Sequence, residues 1–350
     1  MLRAVVDGDR LRFGERLAVS FHRTLRIPDD GRTYPLPPGF GLFPLLPAPA
    51  RTGAAAPEIL IPLYQREALW LGFSAAPWKP NALKVIVGGI NAVSGRPDQG
   101  AALGDPQDYL VCPDQPWLDG LNAGDGAIRQ FVAMPLGEGY GIEAAQGLIE
   151  RGGIEIVAFE PLPGRFPDEP PPPRPGPVRL SRPTAAASEP REMALGAGGR
   201  MRQKIYPDRY GREVWDAASA ARLRVTLVNS RRYREITGAP PPPTPIDAAA
   251  YTAAGLPWFD LYDEAAGSVA PDAGGRLKTV RERDRERDVE AAGDDSIDIP
   301  VTQVTVIDRA SADDSRPRSA ATDTRASPSA APRQRKGRRR ARKPPDKRRP

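Results

Sequence analysis

Apolar residues in the first 165 positions fall into short runs, alternating or nearly continuous, separated by Gly, Pro and Asp-Gly turns. LRAVV and RLRF flank Asp7-Gly8-Asp9, and an Asp-Gly turn between apolar runs predicts a hairpin. In RLAVSFHRTLRI, Leu17, Val19 and Phe21 share one parity, the period of a strand with one buried face. Further runs are EILIPLYQ (58–65), EALWLGFS (67–74), ALKVIVGG (82–89), IRQFVAMPL (128–136) and GIEIVAFEPL (153–162). The connections at 28–41 and 48–57 are rich in turn formers. Roughly seven or eight short strands joined this way predict a mainly β domain at 1–165, a sandwich or a barrel.

The pattern then breaks. Residues 166–192 are dominated by proline and have no periodicity, so they read as an extended linker, with a docking peptide as the alternative. Order signals return over 193–264, which predicts a small α+β appendage docked on the first domain. RLRVTLVN (222–229) alternates Leu223, Val225 and Leu227 as a strand. A helix is predicted over Ala248–Ala254, with Thr244 as N-cap, Pro245 at its first position, Asp247 in its first turn and Gly255 as its stop. A unit of about 70 residues is marginal alone, so it should lean on its neighbour. Beyond 264 the composition predicts a disordered tail, with RERDRERD (281–288) as a solvated charge run or, as the alternative, a transient helix, and an apolar island at 297–307. The island, flanked by acids, suits a last intramolecular strand or strand addition to a partner's sheet.

Composition changes this picture in three places. The 42 prolines are about twice average usage and argue against long helices. The net charge of +6 belongs to the end of the chain: residues 333–350 carry 11 Lys/Arg against one Asp, so residues 1–332 sum to −4. The single cysteine, Cys112, excludes an intrachain disulfide and a cysteine-rich zinc site. With no signal-peptide pattern and no run of about 18 apolar residues, the expected location is cytoplasmic with no membrane span.

Candidate chemistry is sparse. His22 is the only histidine, so a site with two histidine ligands is excluded. Its parity is opposite to Val19 and Phe21, which predicts a solvent-facing ring. Cys112 reads as a small buried hydrophobe. VGGINAVSG (87–95) lacks a phosphate-binding signature and predicts a turn with a close backbone approach. The span 104–126 holds Asp105, Asp108, Asp114, Asp119 and Asp125 beside Tyr109 and Trp117. It is either a set of turns, a divalent-cation site such as one for calcium, with Asp114 and Asp119 as candidate ligands, or a two-carboxylate hydrolase site. No other cofactor is implied.

Binding surfaces are the other possibility. GGRMRQKIYPDRYGREVWD (198–216) mixes apolar residues with Arg200, Tyr206, Tyr210 and Trp215. These, with Trp258 and Phe259, are residue types that dominate contact surfaces, although packing onto the β domain is the commoner outcome. Arg335, Lys336, Arg338, Arg339, Arg340, Arg342 and Lys343 form a polybasic tail suited to nucleic acid, an anionic surface or an acidic protein.

Five phrases, FHRTLRIPDDGRTYPLPPGFG, PLYQREALWL, QDYLVCPDQPWLDG, IRQFVAMPLGEGYG and GGRMRQKIYPD, resemble segments of a group of uncharacterised bacterial and fungal proteins. The resemblance covers about residues 1–264. It implies that these segments form one recurring unit, and it assigns no activity and no functional residue. The expected function is therefore a non-catalytic interaction or scaffold protein with a protein partner and an electrostatic anchor. The alternative is a hydrolase using the aspartates of 104–126. A nucleic-acid-binding protein rests on the tail alone.

Overall fold

The computed structural model describes residues 2–48, 57–100, 102–123, 127–169, 192–241, 243, 247–262, 277–290 and 295–308. The described chain is mainly β, as expected. Antiparallel ladders run from the Ala4–Asp7 and Arg10–Phe13 hairpin through Leu17–Thr24 to Ala68–Ala75. They continue through Ile128–Pro135 to Glu192–Met201, then Ala221–Val228, Ile154–Phe159, Asn81–Val87 and Leu110–Cys112. From Cys112 the chain turns a corner, and Trp117–Leu118 pairs with Leu71 and Gly72 of the Ala68–Ala75 strand. The ladders therefore return to the strand they left, which makes the body barrel-like.

One hydrophobic core fills the interior. Leu17, Val19 and Phe21 meet Leu69, Leu71, Phe73, Leu83, Val85, Ile156, Phe131, Leu195, Leu223 and Val225 there. The period-2 pattern accounts for this, because opposite residues in each ladder share a face. Asn81–Val87 is buried at all seven positions, since both of its faces are covered. Its outer residues Ala82 and Ile86 join Val157, Phe159, Tyr109, Val111 and Trp215 in a second cluster.

The expected boundary at 165 is not a domain boundary. Glu192–Met201 pairs along its length with Ile128–Pro135, and Ala221–Val228 lies between Ile154–Phe159 and Glu58–Pro62, the latter parallel to it. Residues 193–228 are thus interior strands of the body and not a docked appendage. Long-range pairing of this kind leaves no local trace in a sequence. The proline-rich stretch 170–191 lies outside the described residues.

The C-terminal third is more ordered than the disordered tail expected beyond 264, at RERDRERD and at the apolar island, which takes the intramolecular of its two expected roles. RERDRERD lies on a helix, Val280–Glu286, opened by a capping box between Thr279 and Glu282. Val280 and Asp284 are buried, so the run is not uniformly solvated. The apolar island contributes a strand, Val304–Asp308, parallel to Trp258–Tyr262 in a small second sheet. Ile297, Ile299 and Val304 pack against the main core. The helix before Trp258 runs over Ala248–Ala253, with Asp247 as the N-cap whose side chain accepts from Ala250 N–H, and Gly255 adopts φ +71° after it. Thr244 and Pro245, like residues 309–350 with their polybasic end, lie outside the described residues.

Because the barrel closes through strands at 192–201 and 221–228, a chain ending at residue 192 should lack a cooperative thermal transition. A 1–192 chain that melts as sharply as the full chain would contradict this topology.

Candidate functional site

The two most suggestive stretches of sequence, 104–119 and 198–216, lie against each other. Three glutamines join them in the manner of a β-ladder. Gln203 accepts from Asp119 N–H (3.0 Å) and donates to the Trp117 carbonyl (3.0 Å). Gln115 accepts from Tyr206 N–H (3.0 Å) and donates to the Lys204 and Trp117 carbonyls. Gln107 accepts from Asp208 N–H (2.8 Å) and donates to the Tyr206 and Tyr109 carbonyls. Asp208 then accepts from the Tyr109 hydroxyl (2.7 Å) and from Trp215 Nε1 (2.8 Å). These bonds satisfy backbone groups that the extended 202–208 segment would otherwise bury unpaired.

The aspartates are held by this packing. Lys84, fully buried on the outer face of Asn81–Val87, places Nζ 3.0 Å from Asp108 and 2.7 Å from Asp98, and it donates to the Gly100 and Ala102 carbonyls. Asp114 pairs with Arg209 at 2.8 Å. Asp119 is buried, and burial pushes its carboxyl well above the usual range, against a smaller opposite pull from Trp117 Nε1. Asp114 and Asp119 are therefore engaged separately, one by Arg209 and one by Trp117. Among the described residues, no three His, Cys, Asp or Glu side chains converge as ligands. Asp125 lies outside the described residues.

His22 occupies the outer face, as its parity requires, but it is not solvent-facing. Its ring stacks on Trp70 at 3.6 Å and 4°, and Ser20 Oγ lies 2.8 Å from Nε2. Gly72 makes room for it, since a Cβ there would lie 2.7 Å from Nε2. Burial, with Arg10 adding repulsion, lowers its pKa to about 3, so the ring is neutral and a weak base. Cys112 is fully buried, and burial pushes its thiol up, which leaves no thiolate for nucleophilic chemistry. Gly88 has φ +57° and lies under the Glu143 carboxylate, 2.1 Å from where its Cβ would be. That is the close approach expected of VGGINAVSG, although the partner is a side chain.

Of the aromatic and arginine residues proposed as a contact surface, most are packing. Tyr206, Trp215 and Trp258 are buried. Trp258 Nε1 donates to Thr252 Oγ1 at 3.1 Å. Tyr210 packs edge-on against Trp215 and Phe166. Phe259 is paired through its strand with Thr305.

Arg200 is the exception. It lines a cleft of about 340 Å³ together with Asp29, Asp30, Gly31, Arg129, Thr279, Arg281, Glu282 and Arg285. The sheet supplies Arg129 and Arg200, which are direct partners across the Ile128–Pro135 and Glu192–Met201 ladder. Like charges placed opposite each other destabilise a sheet. The helix supplies Arg281 and Arg285, one turn apart, an arrangement that is likewise unfavourable on a helix. Four guanidinium groups are thus gathered beside the carboxylates of Asp29, Asp30 and Glu282.

The surrounding chain fixes them. Asp29 accepts from Arg129 at 2.9 Å, and its carbonyl accepts from Arg281 at 2.7 Å. Gln130 holds the loop before Asp29 by accepting from Ile27 N–H and donating to the Leu25 carbonyl. Asp30 accepts from Tyr34 Oη and Arg32 N–H. Burial alone would raise its carboxyl, but bonds from Ser296, Arg32 and Tyr34 outweigh that and lower it. The helix is anchored by Asp284, which accepts two bonds from Arg66 (2.7 and 2.8 Å) and one from Tyr140 (2.7 Å). Burial opposes the charge on Asp284, yet these bonds hold its pKa below the ordinary value.

Sequence reasoning missed Asp29, Asp30, Arg129, Arg281 and Arg285 as site residues. A signal was present: PDDG, IRQ and GGR lie in three of the five phrases on which the resemblance was read, and the fold brings these three together. No family model, curated protein or solved structure matches the chain.

Replacing Lys84 with Met leaves Asp98 and Asp108 without their cation and should cost about 3–5 kcal/mol in urea denaturation. A loss below about 1 kcal/mol would show that the pair is solvated. Asp119 supports a pH test. The unfolded chain releases this proton near pH 3.9, whereas the fold retains it, so its contribution to stability falls as pH rises above about 4. Asp119→Asn should flatten that fall between pH 4 and 7 in thermal melts. An unchanged pH profile would mean that Asp119 is ionised in the fold.

Proposed function

We propose that this is a non-catalytic interaction protein that recognises an anionic group at the arginine cleft and uses its polybasic end as an electrostatic anchor. The observation that carries this reading is the opposition of Arg129 and Arg200 across one ladder, with Arg281 and Arg285 facing the same cleft. Residues 1–332 carry a net charge of −4, so such a gathering runs against the charge of the rest of the body. Guanidinium groups bind carboxylates and phosphates in two-pronged bonds, so the cleft suits an anionic group.

A hydrolase built on 104–126 has less support. Asp108 and Asp114 are paired with Lys84 and Arg209. Asp119 is only 1% exposed, out of reach of a substrate. His22 and Cys112 offer neither a base near neutral pH nor a thiolate.

The anchor is tested on a heparin column with a salt gradient. Removing 333–350 should abolish retention at physiological salt, because the tail holds 11 of the 50 Lys/Arg in the chain and such binding depends steeply on salt. Retention that survives the deletion would move the polyanion contact into the body and overturn the anchor.

A further inference from the structure

The helix over Val280–Glu286 is held to the barrel by a small apolar cluster and a polar latch. It has seven residues, too short to be stable through its own backbone bonds. Its buried side chains are Val280 and Asp284, one turn apart. Val280 packs on Val132 and Met134 beside Tyr140. Val132 and Met134 alternate with Phe131 and Ala133, which enter the main core, so they stand on the outer face of their strand and the helix helps to cover them. Asp284 accepts two bonds from Arg66 and one from Tyr140, and the Arg287 guanidinium lies over the Tyr140 ring at 4.5 Å. Just before the helix, Leu277 belongs to the main core and its N–H donates to the Ala123 carbonyl at 3.0 Å.

Arg66 reaches the helix from a strained position. It has φ +67° in the turn between Glu58–Pro62 and Ala68–Ala75, a conformation that favours glycine. Its N–H donates to the Ala133 carbonyl at 2.6 Å, and its guanidinium grips Asp284 with both terminal nitrogens. Strain of this kind persists where the surrounding structure requires the geometry, and here the geometry aims the side chain at the helix. We propose that the helix is a hinged strap. It swings open about Leu277 as a unit while the barrel stays folded, and the Arg66–Asp284 pair is the latch that keeps it shut. Opening uncovers the apolar face of Val132, Met134 and Tyr140. It also carries Arg281, Glu282 and Arg285 away from Asp29, Arg129 and Arg200, the residues of the body across the cleft. The cleft is therefore complete only while the strap is shut, whatever group it binds.

The test is native-state hydrogen–deuterium exchange on the full chain. Amides of 280–290 are compared with those of Leu17–Thr24 and Asn81–Val87, two strands of the barrel. In urea below the unfolding transition, the helix amides are expected to exchange through an opening that leaves both strands protected. Loss of protection at the same urea concentration in all three segments would make the helix part of the barrel's cooperative unit and overturn the strap. No ligand is added, so the result is separate from the reading of the cleft as an anion site.

Arg66→Gly separates the latch from the strain. Glycine suits φ +67°, so the melting temperature of the barrel is expected to hold or rise slightly. Exchange in 280–290 should meanwhile speed up by about tenfold or more, the loss expected for a pair of charge-assisted bonds. Asp284→Asn should have the same local effect from the helix side without altering the turn. Unchanged exchange in 280–290 in either folded variant overturns the latch. A loss of protection in Leu17–Thr24 and Asn81–Val87 by the same factor as in 280–290 shows that the pair stabilises the whole fold, and overturns the hinge. The urea comparison on the unaltered chain decides the hinge even where a variant does not fold.

Discussion

The cleft depends on the absence of side chains at three positions of one strand. In Glu192–Met201, a Cβ on Gly196 would lie 2.7 Å from Val280, on Gly198 2.6 Å from Val132, and on Gly199 2.2 Å from the Pro28 carbonyl. Glycine weakens a strand interior, and its presence there usually marks a close approach of another segment. Here both the helix and the 25–31 loop come within contact of the same strand. Arg200 follows directly, opposite Arg129. Side chains at Gly196 and Gly199 would push the helix and the loop away from the two sheet arginines, and one at Gly198 would meet Val132 of the adjacent strand.

The body also uses its carboxylates in a consistent way. Lys84 gathers Asp98 and Asp108 under the 98–108 loop, Arg23 pairs with Glu67 inside the body, and Asp284 locks the helix to Arg66. The Lys84 and Arg23 pairs are largely buried, and Asp284 is buried beneath a half-buried Arg66, the condition under which removal of one partner is costly. Asp29 is different. It grips Arg129 by its carboxylate and Arg281 by its carbonyl, so one residue orients arginines from both sides of the cleft. Asp108 and Asp114, candidate chemistry in the sequence, are paired with Lys84 and Arg209. The acids that shape the cleft lie instead in a turn at Asp29-Asp30-Gly31.

Much of the fold was legible where the information is local. The Asp-Gly hairpin became a pair of strands, and the alternations of Leu17, Val19 and Phe21 and of Leu223, Val225 and Leu227 became strands with the expected buried face. The packing of Met201, Ile205, Val214 and Trp215 was legible too, because apolar side chains of that size need cover. The cleft was not. Arg129, Arg200, Arg281 and Asp29 lie far apart in sequence, and each alone resembles an ordinary surface charge. RERDRERD misled for the same reason: one buried aspartate with two partners from elsewhere converts a solvated run into an anchored helix.

By itself the sequence determined the β class, the strand faces, the acidic body and the basic end. These follow from side-chain periodicity and formal charge, which neighbouring residues set. Tertiary structure alone decided that strands at 192–201 and 221–228 complete the barrel, that Asp108 and Asp114 meet Lys84 and Arg209, and that four arginines share one cleft. Those outcomes depend on register and on contacts between residues about 70 to 250 positions apart. Pairing at that separation is selected by the burial of the whole core and by the glycines that admit close approach.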